Sequence, residues 1–495
     1  MVDSRIVKSL RSLPKRASRQ IKKQRIGYFA SSDSGSILPA TAGALVMLIS
    51  MMGLSIDGAR IFYTKDVLQK SLDAAGLAAG NALTEAAMLQ DAQNFFDANF
   101  DAGNTAANFS ELNITPSQDG NTLWLTATAT VESSFAKLLG FREFTVNARA
   151  EIQRVVRGME LALIMDNTGS MAGSKMTSMK SAAEDLVAIV YGDDESNENL
   201  YVSLIPYTAA VNVGPEYTEW LTSAGEALID GGAYGPDPWK GCVMARSGGR
   251  DETDASPSIA KFTPYLYQDN VDNDWMTVDE DGETEYDLNL VRGNSGRGPN
   301  LGCGPAITPL IQSKTAVLEA VDEMEAWSRG GTTSNLGLVW GWRTLSPNWR
   351  GLWQGDDAAN RPLDYGSPFM DKVAVVLTDG NNQFFDWKSH APDNGNGPLG
   401  SDFTAYDRLN TFGFSSLGSA RNELNDRFAA TCGAMKAQGI IIYTITFGSG
   451  SSGAANLYRA CASDPSFYFH APSNGDLAEV FEVIGRSLSN LRLSQ

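Results

Sequence analysis

Between Ser34 and Ile56 the chain runs for 23 residues without a charge. Coiled as a helix, that stretch spans roughly 34 Å, enough for a bilayer core of about 30 Å. Gly, Ala, Ser and Thr dilute Leu45, Val46, Leu48, Ile49 and Leu54, and Asp57 and Arg60 close the run. The pattern predicts a transmembrane anchor over 34–57. Helical patterning continues through 58–99, where Val67, Leu68, Leu72, Leu77 and Leu83 stand among Ala74, Ala75, Gly76, Ala78, Ala79 and Gly80. Small residues suit close helix packing, against a partner or against the chain's own next segment. The period then changes. Leu123, Leu125, Ala127, Ala129 and Val131 alternate with Trp124, Thr126, Thr128 and Thr130, which predicts a strand. The turn signal Gln118-Asp119-Gly120-Asn121 makes Leu112-Asn113-Ile114 its expected hairpin partner. Phe144 to Ile152 alternates again after a short helical stretch near 134–139. Residues 58–155 read as a long helix plus a small α+β membrane-proximal domain.

From residue 156 alternation gives way to continuous apolar runs. Leu161-Ala162-Leu163-Ile164-Met165 ends in Asp166, and Val373-Ala374-Val375-Val376-Leu377 ends in Thr378-Asp379-Gly380. Such runs suit parallel strands buried on both faces. Leu200–Tyr207, Gly439–Phe447 and Phe467–His470 read as further strands, with helices over 175–190 and 477–491. Alternating strands and helices predict an α/β fold, a doubly wound and mostly parallel sheet covered on both faces. Residues 212–305, 346–370 and 381–417 lack regular periodicity and stand as large insertions in this 156–495 domain. Loops of that length are usually functional or mobile.

Charge gives the chain a direction. Nine Lys and Arg against one acid make residues 1–30 strongly basic, within an overall net charge of -19. By the positive-inside rule the tail 1–33 is cytoplasmic, and everything beyond the anchor faces the periplasm or exterior. The acidic body would repel nucleic-acid phosphates, so no nucleic-acid partner is expected. A cleaved signal peptide would need a small-x-small site after the apolar run, and none is clean. A pilin-type leader would need Glu five residues beyond Gly35, where Ala40 stands.

The chemistry concentrates in three segments. Asp166-Asn167-Thr168-Gly169-Ser170 lies at a strand-to-helix turn, where open α/β sheets place ligands. It offers one carboxylate and two hydroxyls, oxygen donors that suit Mg²⁺. Gly330-Gly331-Thr332-Thr333 precedes an apolar helix, and Asp379 ends the second buried strand. Stretch 269–287 holds nine acids and no base, yet Asp279-Glu280-Asp281-Gly282 lacks the ligands of a helix-loop-helix calcium site. Cys242, Cys303, Cys432 and Cys461 permit three pairings. In an oxidising compartment two disulfides are expected, Cys242–Cys303 closing the long insertion and Cys432–Cys461 tying a helix to the segment beyond the next strand. His390 and His470 are the two histidines, and neither lies in a Ser or Cys nucleophile motif. The chain also lacks a phosphate-binding Gly-rich loop with Lys and a G-x-S-x-G elbow, so it is not expected to be an enzyme.

The order D-x-T-G-S, G-G-T, strand-T-D-G resembles the metal-ion-dependent adhesion site (MIDAS) of von Willebrand factor A domains, over roughly 158–492. The resemblance implies Mg²⁺, with Mn²⁺ or Ca²⁺ as substitutes, held by Asp166, Thr168, Ser170, Thr332 and Asp379. Thr168 and Ser170 would bind directly, Thr332 would join when ligand is bound, and Asp166 and Asp379 would act mainly through water. Thr168 stands where the commonest pattern has Ser, and Thr333 is an alternative to Thr332.

Further upstream, Leu54-Ser55-Ile56-Asp57-Gly58-Ala59-Arg60 and Leu68-Gln69-Lys70-Ser71-Leu72-Asp73-Ala74-Ala75-Gly76-Leu77-Ala78-Ala79 resemble the TadE/TadG-like proteins of Flp (tight adherence) pilus assembly. That resemblance implies a single-pass inner-membrane protein with its C-terminal domains in the periplasm. Its expected partners are Tad pilus machinery or pilin-like proteins that present an Asp or Glu carboxylate to the metal. A surface-exposed, metal-dependent adhesin is the competing expectation.

Overall fold

The computed structural model describes residues 37–80, 85–100, 107–117, 122–153, 158–289, 296–367, 370–385, 401–448 and 453–492. Its contacts divide the chain into two compact units. One joins the chain up to Ala74 with Asn94–Asn113 and Leu125–Ala150, and the other joins Ala75–Gln93, Ile114–Trp124 and Glu151–Gln495.

A single helix, α1 (Ile37–Gly80), carries the apolar run and continues well past it. It is long and apolar enough to cross a membrane, with a window of mean hydropathy 2.0. Helix α2 is Glu85–Asn99. Strands β1 (Ala107–Pro116), β2 (Thr122–Glu132) and β3 (Glu143–Gln153) form a sheet in that order. The alternation expected for β2 is met, with Leu123, Leu125, Ala127, Ala129 and Val131 buried. The turn signal at 118–121 lies outside the described residues. Phe96, Phe100 and Phe109 pack their rings together at 4.8 to 6.0 Å.

The larger unit is built on β4 (Gly158–Asp166), β5 (Leu200–Tyr207), β6 (Thr308–Ile311), β7 (Met370–Thr378), β8 (Ile441–Phe447) and β9 (Tyr468–Ala471). Their order across the sheet is β9-β8-β7-β4-β5, with β6 beside β5. Among these strands all pairs are parallel except β6, which lies antiparallel to β5, and two short strands, Val211–Asn212 and Cys242–Val243, extend the sheet antiparallel beyond β5. Sequence patterning does not predict β6. It is four residues long and contains Pro309, a residue tolerated at a sheet edge because it donates no ladder hydrogen bond.

Every β4 residue is buried, and successive side chains enter two different cores. Leu161, Leu163 and Met165 face α3 (Ser174–Tyr191), α5 (Lys314–Asp322) and α9 (Asn474–Arg492). Ala162 and Ile164 face the other way, toward α6 (Ser334–Leu345), α7 (Leu417–Ala437) and the insertions. Two-sided burial explains why these strands show no alternation in sequence. The sheet is the doubly wound, mostly parallel α/β arrangement expected.

The described parts of the insertions are packed. Helix α4 (Ser223–Asp230) is their one longer helix among the described residues. Tyr217, Trp220, Phe262, Trp340, Trp349 and Trp353 interlock at ring distances of 4.0 to 6.3 Å, extending the core beneath α6. Both expected disulfides form, Cys242–Cys303 and Cys432–Cys461, the second joining α7 to α8 (Ala455–Cys461). In the acidic stretch, 276–278 and 284–286 make an exposed hairpin, while Asp272 is buried against Arg408 at 2.6 Å.

Candidate metal centre

Strand order reverses between β4 and β7, and such a switch point opens a crevice at the carboxyl ends of the strands. Asp166 ends β4, and Asp379 follows β7. The loop after Asp166 turns back on that carboxylate. The Thr168 N–H and hydroxyl both donate to Asp166 Oδ1, at 2.9 and 2.6 Å, and the Thr378 hydroxyl donates to Oδ2 at 2.8 Å. Thr168 and Ser170 hydroxyls are 3.1 Å apart, and Ser170 donates to Asp379 Oδ1 at 2.6 Å. Four of the five expected residues thus form one contiguous array, in which each hydroxyl donates to a carboxylate. The fifth, Thr332, lines the same cleft of about 290 Å³ as Thr168 and Ser170, together with Trp327, Arg329 and Phe385. Thr333 points elsewhere, donating to the Thr208 carbonyl at 2.9 Å, so it is not a substitute for Thr332.

The Gly-Gly-Thr turn is specified sterically. Gly330 and Gly331 have φ of 85° and 131°, in the range that favours glycine. A Cβ on Gly331 would lie 2.1 Å from the Gln383 carbonyl oxygen. Gly331→Ala is expected to cost about 1–3 kcal/mol in denaturant unfolding and to displace Thr332 from the cleft. Unchanged unfolding and unchanged metal affinity would contradict this placement.

Several contributors were not legible in the sequence. Lys175, in the first turn of α3, donates to Asp379 Oδ2 at 2.6 Å. The Trp327 N–H donates to the Asn167 carbonyl at 2.8 Å, fixing the turn against the segment before Gly330. Asn382 accepts from the Ser334 N–H and hydroxyl at the start of α6. Arg329 pairs with buried Asp402 at 2.8 Å, and Asp402 also accepts the Gly330 N–H at 2.8 Å. Only Thr378 had a sequence signal, as the Thr of the strand-end Thr-Asp-Gly.

Burial, followed by the neighbouring charge of Asp379, pushes the Asp166 carboxyl up to about 6. Two adjacent carboxylates, one of them fully buried, are faced by one ammonium at Lys175. All other donors are hydroxyls. Among the described residues no group of three or more His, Cys, Asp or Glu gathers, and the side-chain donors at this site are all oxygens apart from the Lys175 ammonium. An all-oxygen set with surplus negative charge fits a small hard dication.

The raised carboxyl has a pH consequence. Between its ordinary value of 3.8 and about 6, the folded, metal-free state holds a proton that the unfolded chain has lost. Stability of the metal-free protein therefore falls as pH rises through that window. In chelator, wild type should lose more melting temperature between about pH 4 and about pH 7 than Asp166→Asn, which lacks the group. Parallel pH profiles for the two proteins would refute it.

The N-terminal segment decides the family resemblance. Residues 35–82 match the family described as "Putative Flp pilus-assembly TadE/G-like". This segment is TadE/G-like. It holds the whole of the apolar run beyond Ser34 and all of α1. No curated protein matches the chain. Among solved structures, the von Willebrand factor domain of the type V pili tip protein Mfa5 from Porphyromonas gingivalis is similar at 12% identity, covering 69% of this chain and 98% of that one, with a TM-score of 0.35. The pilus adhesin SpaC from Lactobacillus rhamnosus GG is similar at 10% identity over 78% of this chain and 34% of that one, TM-score 0.35. Proximal thread matrix protein 1 from the mussel byssus, with a zinc-occupied MIDAS motif, is similar at 11% identity over 68% and 46%, TM-score 0.29. This chain thus spans about a third of the SpaC chain and about half of the byssus protein. None of these likenesses says what this chain binds, and the fold rests on its own strand order. The TadE/G-like segment precedes the doubly wound, mostly parallel sheet along the chain.

Proposed function

We propose that this protein is an inner-membrane-anchored component of Flp/Tad pilus assembly whose von Willebrand A-type domain binds a partner protein through a metal-bridged carboxylate. The tail 1–33 is cytoplasmic, 34–57 crosses the membrane, and the domains 58–155 and 156–495 stand in the periplasm. The observation that carries the reading is the convergence of Asp166, Thr168, Ser170 and Asp379 in one contiguous array of hydroxyls and carboxylates beside a cleft that Thr332 also lines. Thr168 and Ser170 supply hydroxyl oxygens, and the Asp166 and Asp379 carboxylates supply the charge. Asp166, Thr168, Ser170, Thr332 and Asp379 would hold a Mg²⁺, which would supply the positive charge that attracts an Asp or Glu carboxylate of the partner. Trp327 and Arg329 flank that approach. The site is one of binding, not turnover.

Crosslinking and recovery of partners from cells tests this, comparing wild type with Asp166→Ala in Mg²⁺ and in chelator. A set of Tad machinery or pilin-like partners lost under either treatment is expected. A partner set indifferent to both would sink the metal bridge. Protease treatment of intact cells should leave the domain uncut, whereas cleavage would favour a surface adhesin.

A further inference from the structure

Asp57 and Arg60 close the apolar run, but they also hold a second apolar element. The β2–β3 connection, Ser133–Arg142, folds over α1 at their level. Asp57 Oδ1 accepts the Ser134 N–H at 2.9 Å, and Oδ2 accepts the Phe135 and Ala136 N–H groups at 2.9 and 2.7 Å. The Arg60 guanidinium donates to Ser134 Oγ at 2.7 Å. These bonds cap a short 3₁₀ turn, Ala136–Leu139. The Phe135 ring is laid against Gly53, where a Cβ would sit 2.6 Å from the ring.

Gly53 is also where α1 leaves the protein, because every residue from Ile37 to Met52 is exposed. It lies four residues, about 6 Å along the helix, on the membrane side of Asp57. At that depth the turn presents Leu138 at 82% exposure, with Leu139 and Phe141 at 60% each. Between Ser133 and Arg142 the connection has two bases, Lys137 and Arg142, and no acid. Large apolar side chains with interleaved bases suit the boundary between headgroups and acyl chains. Phe62 and Tyr63, exposed further along α1, add aromatic side chains of the kind found in interfacial belts.

The geometry points to the 135–142 turn as a membrane-interface anchor that inserts Leu138, Leu139 and Phe141 into the periplasmic leaflet, with Asp57 and Arg60 as the clamp that sets its depth. It rests on α1 being the membrane anchor. The occupant of this apolar tip is lipid because the tip is continuous with the exposed apolar surface of α1. The device gives the small sheet a second foothold, so the helix cannot swivel freely beneath it.

Fluorophores sensitive to polarity test it in the full chain, placed by Leu138→Cys, Val46→Cys or Glu111→Cys and reconstituted into vesicles of phosphatidylethanolamine and phosphatidylglycerol. The probe at 138 is expected to emit to the blue and be quenched by nitroxide lipids labelled near the headgroup, but not by aqueous iodide. The probe at 46 should also report lipid, and that at exposed Glu111 should report water. Asp57→Asn should move the 138 probe toward iodide, and an unchanged response would remove the clamp. A water-exposed probe at 138 with a lipid-exposed probe at 46 would overturn the inference and leave the anchor standing. Protection of 138 from both quenchers would overturn it in favour of a protein interface. A water-exposed probe at 46 would overturn the anchor, and this inference with it.

Discussion

Asp166→Asn is expected to make the metal-free protein more stable and to abolish its stabilisation by Mg²⁺. The amide keeps an acceptor for the Thr168 N–H and hydroxyl while removing a fully buried charge beside Asp379. Above about pH 6 that charge is desolvated and faces a like charge, so its loss favours folding. The same loss removes the carboxylate a dication needs. An affinity loss on the order of 100-fold, about 3 kcal/mol, is expected. Melting curves in chelator and in saturating Mg²⁺ read both effects. A variant that is destabilised in chelator yet keeps its Mg²⁺ shift would assign Asp166 to packing.

Arg329→Met is the second large effect. Burial pushes the Asp402 carboxyl up, but the hydrogen bond and charge of Arg329, together with hydrogen bonds from Tyr267 and the Gly330 N–H, more than offset it and leave the carboxyl below its ordinary value. Arg329 also donates to the Tyr267 hydroxyl at 2.7 Å, and that hydroxyl donates to Asp402 at 2.5 Å. Removing the guanidinium strands a buried carboxylate, at a cost of about 3–5 kcal/mol in denaturant unfolding. Because Asp402 also holds the Gly330 N–H, Mg²⁺ affinity should fall with it. Adding Asp402→Asn to this variant should recover part of the stability, since no unpaired charge then remains. A double variant no more stable than Arg329→Met would show that the pair acts through shape alone.

What the sequence made legible is local. The runs ending at Asp166 and Asp379 are strands because their burial on both faces demands continuous apolar side chains. The donors Thr168 and Ser170 lie within four residues of Asp166, so one loop brings them together whatever the rest of the chain does. What stayed hidden is long-range. Asp402 lies 73 residues from Arg329, and the backbone groups that Asp57 caps lie 77 to 79 residues away. Charge patterning along a chain does not reveal such pairs. The aromatic packing of the insertions was equally invisible, because Trp220, Trp349 and Trp353 meet without any repeating period.

The central claim is that these five residues hold one divalent cation. Equilibrium titration of the full-length protein with Mn²⁺, followed by electron paramagnetic resonance of the free ion and displaced by Mg²⁺, measures it directly. One saturable site per chain is predicted for wild type, and for Asp166→Asn none over the concentration range that saturates wild type. Wild type without saturable binding, or a site that survives Asp166→Asn unchanged, would contradict the account.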